Sequence, residues 1–146
     1  MTVRSSKELR LDAINPSNPQ DENLLTNAPL NVTQTVTIPV DGFDKMALQI
    51  IYTYDSATEI QVTPTVSLDG VNYSPYISTD IVLNGSTMEG TNYAYVDLFP
   101  VSADVVWTPT YPTNSFNYMK FEITSTAGTA NDVVTVSAIM GVGPSI

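Results

Sequence analysis

The sequence predicts an all-β protein: an antiparallel β-sandwich of jelly-roll or immunoglobulin-like type with about eight to nine strands, preceded by an extended N-terminal arm. Three observations predict it. Charged residues are only 14% of the chain, and their place is taken by 19 Thr, 13 Ser and 11 Asn, residues that suit the solvated face of a sheet. Apolar residues recur with period two rather than 3.6 from residue 32 onward. Turn signals interrupt that pattern at short intervals, and no amphipathic helix emerges. At 146 residues the chain suits one domain, divided here into an arm over 1–31 and a sandwich over 32–146.

The arm has two parts. Residues 1–10, MTVRSSKELR, hold Arg4, Lys7 and Arg10, three of the five cations in a chain of net charge −10. With Glu8 the segment sums to +2, which leaves −12 for the remainder. Leu9, Leu11 and Ile14 suit an extended segment, because Leu9-Arg10-Leu11-Asp12 alternates. Residues 15–31 hold three prolines, five asparagines and the apolar pair Leu24-Leu25, the composition of irregular or extended backbone. Such a segment is either a frayed tail or a docking strap, and the strap is the expectation. On that reading Arg4, Lys7, Leu9, Arg10, Leu11, Ile14, Leu24 and Leu25 contact a partner.

The strands follow in order. VTQTVTI sets Val32, Val36 and Ile38 against three threonines, and KMALQIIYTY places Met46, Leu48, Ile50 and Tyr52 on one face. EIQVTPTVSL alternates through Ile60, Val62, Val66 and Leu68, with Pro64 pointing to an edge strand or a bulge. Asp69-Gly70 turns the chain into VNYSPYIS, and Asn84-Gly85 separates IVLN from YAYVDLF. DVVW, YMKFEITS and DVVTVSAIM complete the set, with Met119, Phe121, Ile123, Val134, Val136, Ala138 and Met140 as inner positions.

Little in the chain can do chemistry. Without His or Cys, the commonest general base, the thiol nucleophile and the usual zinc ligands are missing. A Ser-Lys dyad would have to draw on Lys7, Lys45 or Lys120. Asp41, Asp55, Asp69, Asp80, Asp104 and Asp132 sit at strand ends or turns, where Asp bonds its own backbone. Neither Asp69-Gly70-Val71-Asn72 nor Asp41-Gly42-Phe43-Asp44 has the spacing of a dedicated calcium loop. The expectation is a non-enzymatic protein with no catalytic residue, metal or cofactor. Its acidic field disfavours nucleic acid and anionic membrane surfaces. No secretory leader or membrane span is evident, so synthesis in a cytoplasm is expected. Trp107, Tyr111, Tyr93 and Tyr95 have three readings: core, subunit interface or glycan platform.

Ser67-Leu68-Asp69-Gly70-Val71-Asn72-Tyr73, the run Tyr118-Met119-Lys120-Phe121-Glu122-Ile123 and the closing Val133-Val134-Thr135-Val136 give the chain a family likeness. Over roughly residues 32–140 it resembles small virion proteins of tailed bacteriophages, most nearly capsid decoration, or cement, proteins. The resemblance implies a structural protein of the virion, assembled in the host cytoplasm, with the major capsid protein as partner. It also implies a homo-oligomer, with a trimer favoured. A carbohydrate- or receptor-binding module of a phage tail or fibre shares much of the pattern.

Overall fold

The computed structural model describes residues 23–113 and 116–141 together with the strand at Leu9–Arg10; for residues 9–10, 78–82, 84 and 91–93 it describes the backbone. Arg4, Lys7, Leu11 and Ile14 lie outside the described residues. The strands are β1 (Leu9–Arg10), β2 (Leu25–Pro29), β3 (Gln34–Pro39), β4 (Lys45–Thr53), β5 (Glu59–Ser67), β6 (Ser74–Pro75) and β7 (Ile77–Asn84). They continue with β8 (Thr87–Ala94), β9 (Asp97–Pro100), β10 (Val105–Trp107), β11 (Thr110–Pro112), β12 (Tyr118–Thr126) and β13 (Val133–Gly141). No helix forms among the described residues.

Two antiparallel sheets make the sandwich. In sheet A, β13 and β4 lie at the centre, β1 and β2 pair along the outer edge of β13, and β10 and β11 pair along that of β4. Sheet B runs β3, β12, β5, with β6 and β9 sharing the far edge of β5. Successive long strands alternate between the sheets, and the last strand, β13, returns to lie between β2 and β4. With β6/β9 and β10/β11 each counted as one broken strand, this is the double Greek key of a jelly roll. Of the two expected topologies, the connections select that one.

The alternation in the sequence sorts inside from outside because neighbouring side chains on a strand point to opposite faces. Met46, Leu48, Ile50 and Tyr52 of β4 meet Val134, Val136, Ala138 and Met140 of β13 on the inner face of sheet A. Ile60 and Val62 of β5 join Met119, Phe121 and Ile123 of β12 opposite them. Val32 and Leu68, expected inside, are exposed because each lies in a turn just beyond a strand. The stretch assigned to the arm also contributes to the body: β2 pairs with β13, and Ala28 and Leu30 are buried in the core.

Proline explains why the strands outnumber the expected eight or nine. Pro64 lies in the inner strand β5, not at an edge as its missing N–H suggested. Its carbonyl accepts a hydrogen bond from Tyr76 N–H, so its donorless nitrogen faces the gap between β6 and β9, where no ladder bond is needed. Pro109 interrupts the edge strand in the same way, between β10 and β11, while its carbonyl still accepts from Leu48 N–H at 2.9 Å.

Gly128 closes the connection from β12 to β13. A Cβ there would lie 2.0 Å from Ser125 Oγ and 3.1 Å from the Leu30 carbonyl, the acceptor of that hydroxyl. Gly128→Ala is expected to destabilise by about 2 kcal/mol through overpacking and loss of that bond. A shift in the urea midpoint measures it.

Candidate functional site

Among the described residues the polar groups are occupied in holding the fold. Asp132, fully buried, accepts from the Tyr52 hydroxyl, from the amides of Asp55 (2.8 Å), Ser56 (3.1 Å) and Ala57 (3.2 Å), and from that of Thr129 (2.8 Å). Burial alone would raise this carboxyl, but the Tyr52 hydroxyl and the backbone amides outweigh it and hold it well below the ordinary carboxylate range. Asp132 thereby ties the β4–β5 connection to the β12–β13 connection. Both oxygens of Asp69 are likewise engaged, by the Val71 and Asn72 amides, the Ser67 hydroxyl and the Asn72 side chain. Led by the Asn72 and Val71 amides, these donors lower its carboxyl, which therefore serves its own turn.

Aromatic rings fill both ends of the interior. Tyr52 stacks on Trp107 at 5.9 Å, and Trp107 on Phe99 at 4.5 Å, so the indole bridges the two sheets. Tyr111 is 2% exposed, packs on Phe121 at 5.1 Å and donates its hydroxyl to Asp97. Burial first, then that bond, pushes its phenol well above the usual tyrosine range. Trp107 and Tyr111 thus take the core reading, with Trp107 at its margin. Tyr95 is more open and meets Tyr76 and Tyr111 edge-on. The side chain of Tyr93 lies outside the described residues.

Three surfaces remain. The first is the edge of sheet A. There Leu9 and Arg10 pair with Gly141 and Met140, and farther along β13 Leu25 pairs with Val136 while Leu24 N–H bonds the Val136 carbonyl. The structure thus brings Leu9, Arg10, Leu24 and Leu25 to one strand edge. The second is a groove of about 490 Å³ at the same end of the sandwich, between Ser67–Asp69, Asn72–Ser74 and Phe116. Tyr73 forms part of its wall with Lys120 Nζ 4.3 Å from the ring centroid.

The third is the β7–β8 hairpin. It forms a separate two-stranded sheet inserted between β6 and β9, turning at Gly85 with φ of 64°, a left-handed conformation that suits glycine. Asn84-Gly85 marked this turn in the sequence. What the strand pattern did not reveal is that the hairpin stands apart, because period two reads the same in a free ribbon and in a sandwich. Its roots are held by Tyr76 and Tyr95, whose backbones bond each other at 2.8 Å, and by Tyr111 beneath them.

No family model matches the chain, and no curated protein does. Among solved structures it is similar to the SPBc2 prophage-derived protein YomS, with 13% identity and a TM-score of 0.47 over 81% of this chain and 88% of that one.

Proposed function

We propose that the chain is a non-enzymatic structural protein of a phage particle that decorates and stabilises the capsid by bridging capsid subunits. The observation that carries this reading is the pairing of Leu9–Arg10 with the end of β13. It fastens the segment holding three of the five cations to the edge of an acidic jelly roll, with Arg4 and Lys7 in the eight residues preceding the attachment. Extended segments fastened to a body recognise neighbours by strand addition or by lying in grooves, and a basic one selects an acidic surface. The sequence resemblance to decoration proteins points the same way. The engagement of Asp69 and Asp132 with donors of their own fold supports a non-enzymatic role.

The test compares the full chain with one lacking residues 1–8 for binding to purified, undecorated capsids. Deleting 1–31 would also remove β2 and Leu30 from the core, so the shorter cut isolates the arm. Binding is expected to fall by about tenfold or more, equivalent to about 1.4 kcal/mol or more, while the unfolding midpoint stays put. Equal binding by both forms rejects the arm as anchor; no binding by either rejects decoration.

The groove beside Tyr73 favours a second reading, a carbohydrate-binding module of a tail or fibre, since it joins an aromatic wall to polar Asp69 and Asn72. An array of glycans without hits counts against it.

A further inference from the structure

We propose that the β7–β8 hairpin docks on the outer face of sheet A of a second copy of this chain, with Leu83 and Met88 seated in the groove beside Lys45. The inference concerns self-association and stands whether or not the protein decorates a capsid.

The hairpin is an element that lacks a partner within its own chain. Its strands pair over their full length, from Ile77 opposite Ala94 to Leu83 opposite Met88, and beyond the roots they pack on each other. Ile77, Leu83 and Met88 are 51%, 68% and 66% exposed. Directly opposed or two apart along a strand, residues share a face, so Leu83 and Met88 form one apolar pair at the tip and Ile77 lies farther along the same face. An isolated two-stranded ribbon is marginal in water until such a face is covered.

The receiving surface has matching chemistry. Outward positions of β4, β11 and β13 hold one charged side chain, Lys45; Ala47, Gln49, Ile51, Thr110, Thr135, Ser137 and Ile139 are uncharged. Lys45 pairs with Gly141, and Ala47 with Ile139. The missing and short side chains of Gly141 and Ala47 leave a groove of about 190 Å³ lined by Lys45, Met46, Ala47, Thr110, Ile139 and Gly141. It takes apolar side chains against a single cation at its rim. Residues 77–94 supply both, because they include Asp80 and Glu89 and neither Lys nor Arg, a net charge of −2. Apolar tip meets apolar groove, and acidic strands meet Lys45.

The topology makes the contact intermolecular. The hairpin leaves from the β6/β9 edge of sheet B, whereas the groove opens on the far side of sheet A. A surface that engages a different surface on the next copy is heterologous, and such contacts close into a ring or run on as a filament. Every copy then makes two contacts, one given and one received.

Light scattering after size exclusion tests this on the full chain, whose single-copy mass is 15.8 kDa. The wild type is expected at a multiple of that mass. Leu83→Asp combined with Met88→Asp is expected to return it to one copy; so is Ala47→Glu, a change on the opposite partner that spares the hairpin. Unfolding midpoints of the sandwich should not move. The chain has no cysteine, so Met88→Cys and Ala47→Cys proteins mixed under oxidation should give a disulfide-linked pair that neither forms alone. A wild type of one copy at high micromolar concentration overturns the proposal. So does a multimer that survives both variants, or one whose mixed cysteines do not link. A monomeric wild type whose hairpin variant loses capsid binding reassigns the hairpin to the capsid and also overturns it.

Discussion

Asp132→Ala is expected to lower the unfolding free energy by about 3–5 kcal/mol, since it removes a charged acceptor and strands several buried donors together. The Tyr52 hydroxyl and the amides of Asp55, Ala57 and Thr129 all converge on this carboxylate. Water cannot easily replace it, because the carboxylate is wholly buried between two connections. Tyr52→Phe removes one donor and keeps the ring against Trp107, so it should cost about 1–2 kcal/mol. Asp132→Asn keeps an acceptor but turns a donor toward donors, and belongs between the two. Urea titrations of the three variants check the order; equal costs for Asp132→Ala and Tyr52→Phe would mean that the amides do not depend on the carboxylate.

The same group sets the acid limit. Its folded pKa is depressed, so its contribution is complete above the unfolded value of about 4 and is lost as pH falls through the folded value. Tyr52 and Tyr111 act in the opposite direction. Burial first, and hydrogen bonds to Asp132 and Asp97 respectively, raise their phenols, so their contribution is complete below the unfolded value of about 10 and declines as pH rises beyond it. Denaturant midpoints measured against pH should show a plateau between these limits. Asp132→Asn should flatten the acid side.

Tyr111→Ala is expected to cost about 3–5 kcal/mol, the range for removing a fully buried aromatic ring. The ring lies between Phe121 below and Tyr76 and Tyr95 above, with centroid distances of 5.1, 6.2 and 6.0 Å. Tyr76 and Tyr95 immediately flank the hairpin, so loss of Tyr111 takes the floor from under its roots. Tyr111→Phe retains the packing, strands only the bond to Asp97 and should cost about 1–2 kcal/mol. Amide exchange separates the effects. Tyr111→Ala should speed exchange in β7 and β8 more than in β12, and Tyr111→Phe should speed neither by much. Equal protection of the hairpin in wild type and Tyr111→Ala would show that its roots are held elsewhere.

How much of this was legible follows from the kind of interaction each feature uses. Alternation along β4, β12 and β13 identified inner positions correctly, because a strand's two faces are fixed by local geometry. Turn chemistry marked Asp69-Gly70 and Asn84-Gly85 for the same reason. Pro64 misled, since a missing donor reports only that one side of a strand lacks a ladder bond; an edge and an interrupted neighbour satisfy that equally. The residues assigned to the arm carried no sustained period, yet β2 and Leu30 belong to the body, where pairing with β13 and burial override a weak local pattern.

The candidate surfaces divide along the same line. Composition and charge placement alone exposed the basic N-terminal segment and the poverty of catalytic groups, because those depend on which residues are present. The jelly-roll connections, the buried role of Asp132, the core position of Tyr111 and the uncharged face around Lys45 depend on which residues meet across long separations. Asp132 lies more than 70 residues from the Asp55–Ala57 amides that it accepts from, and no local signal spans that distance. Strand periodicity states which way a side chain points; only the packing of two sheets states what it points at.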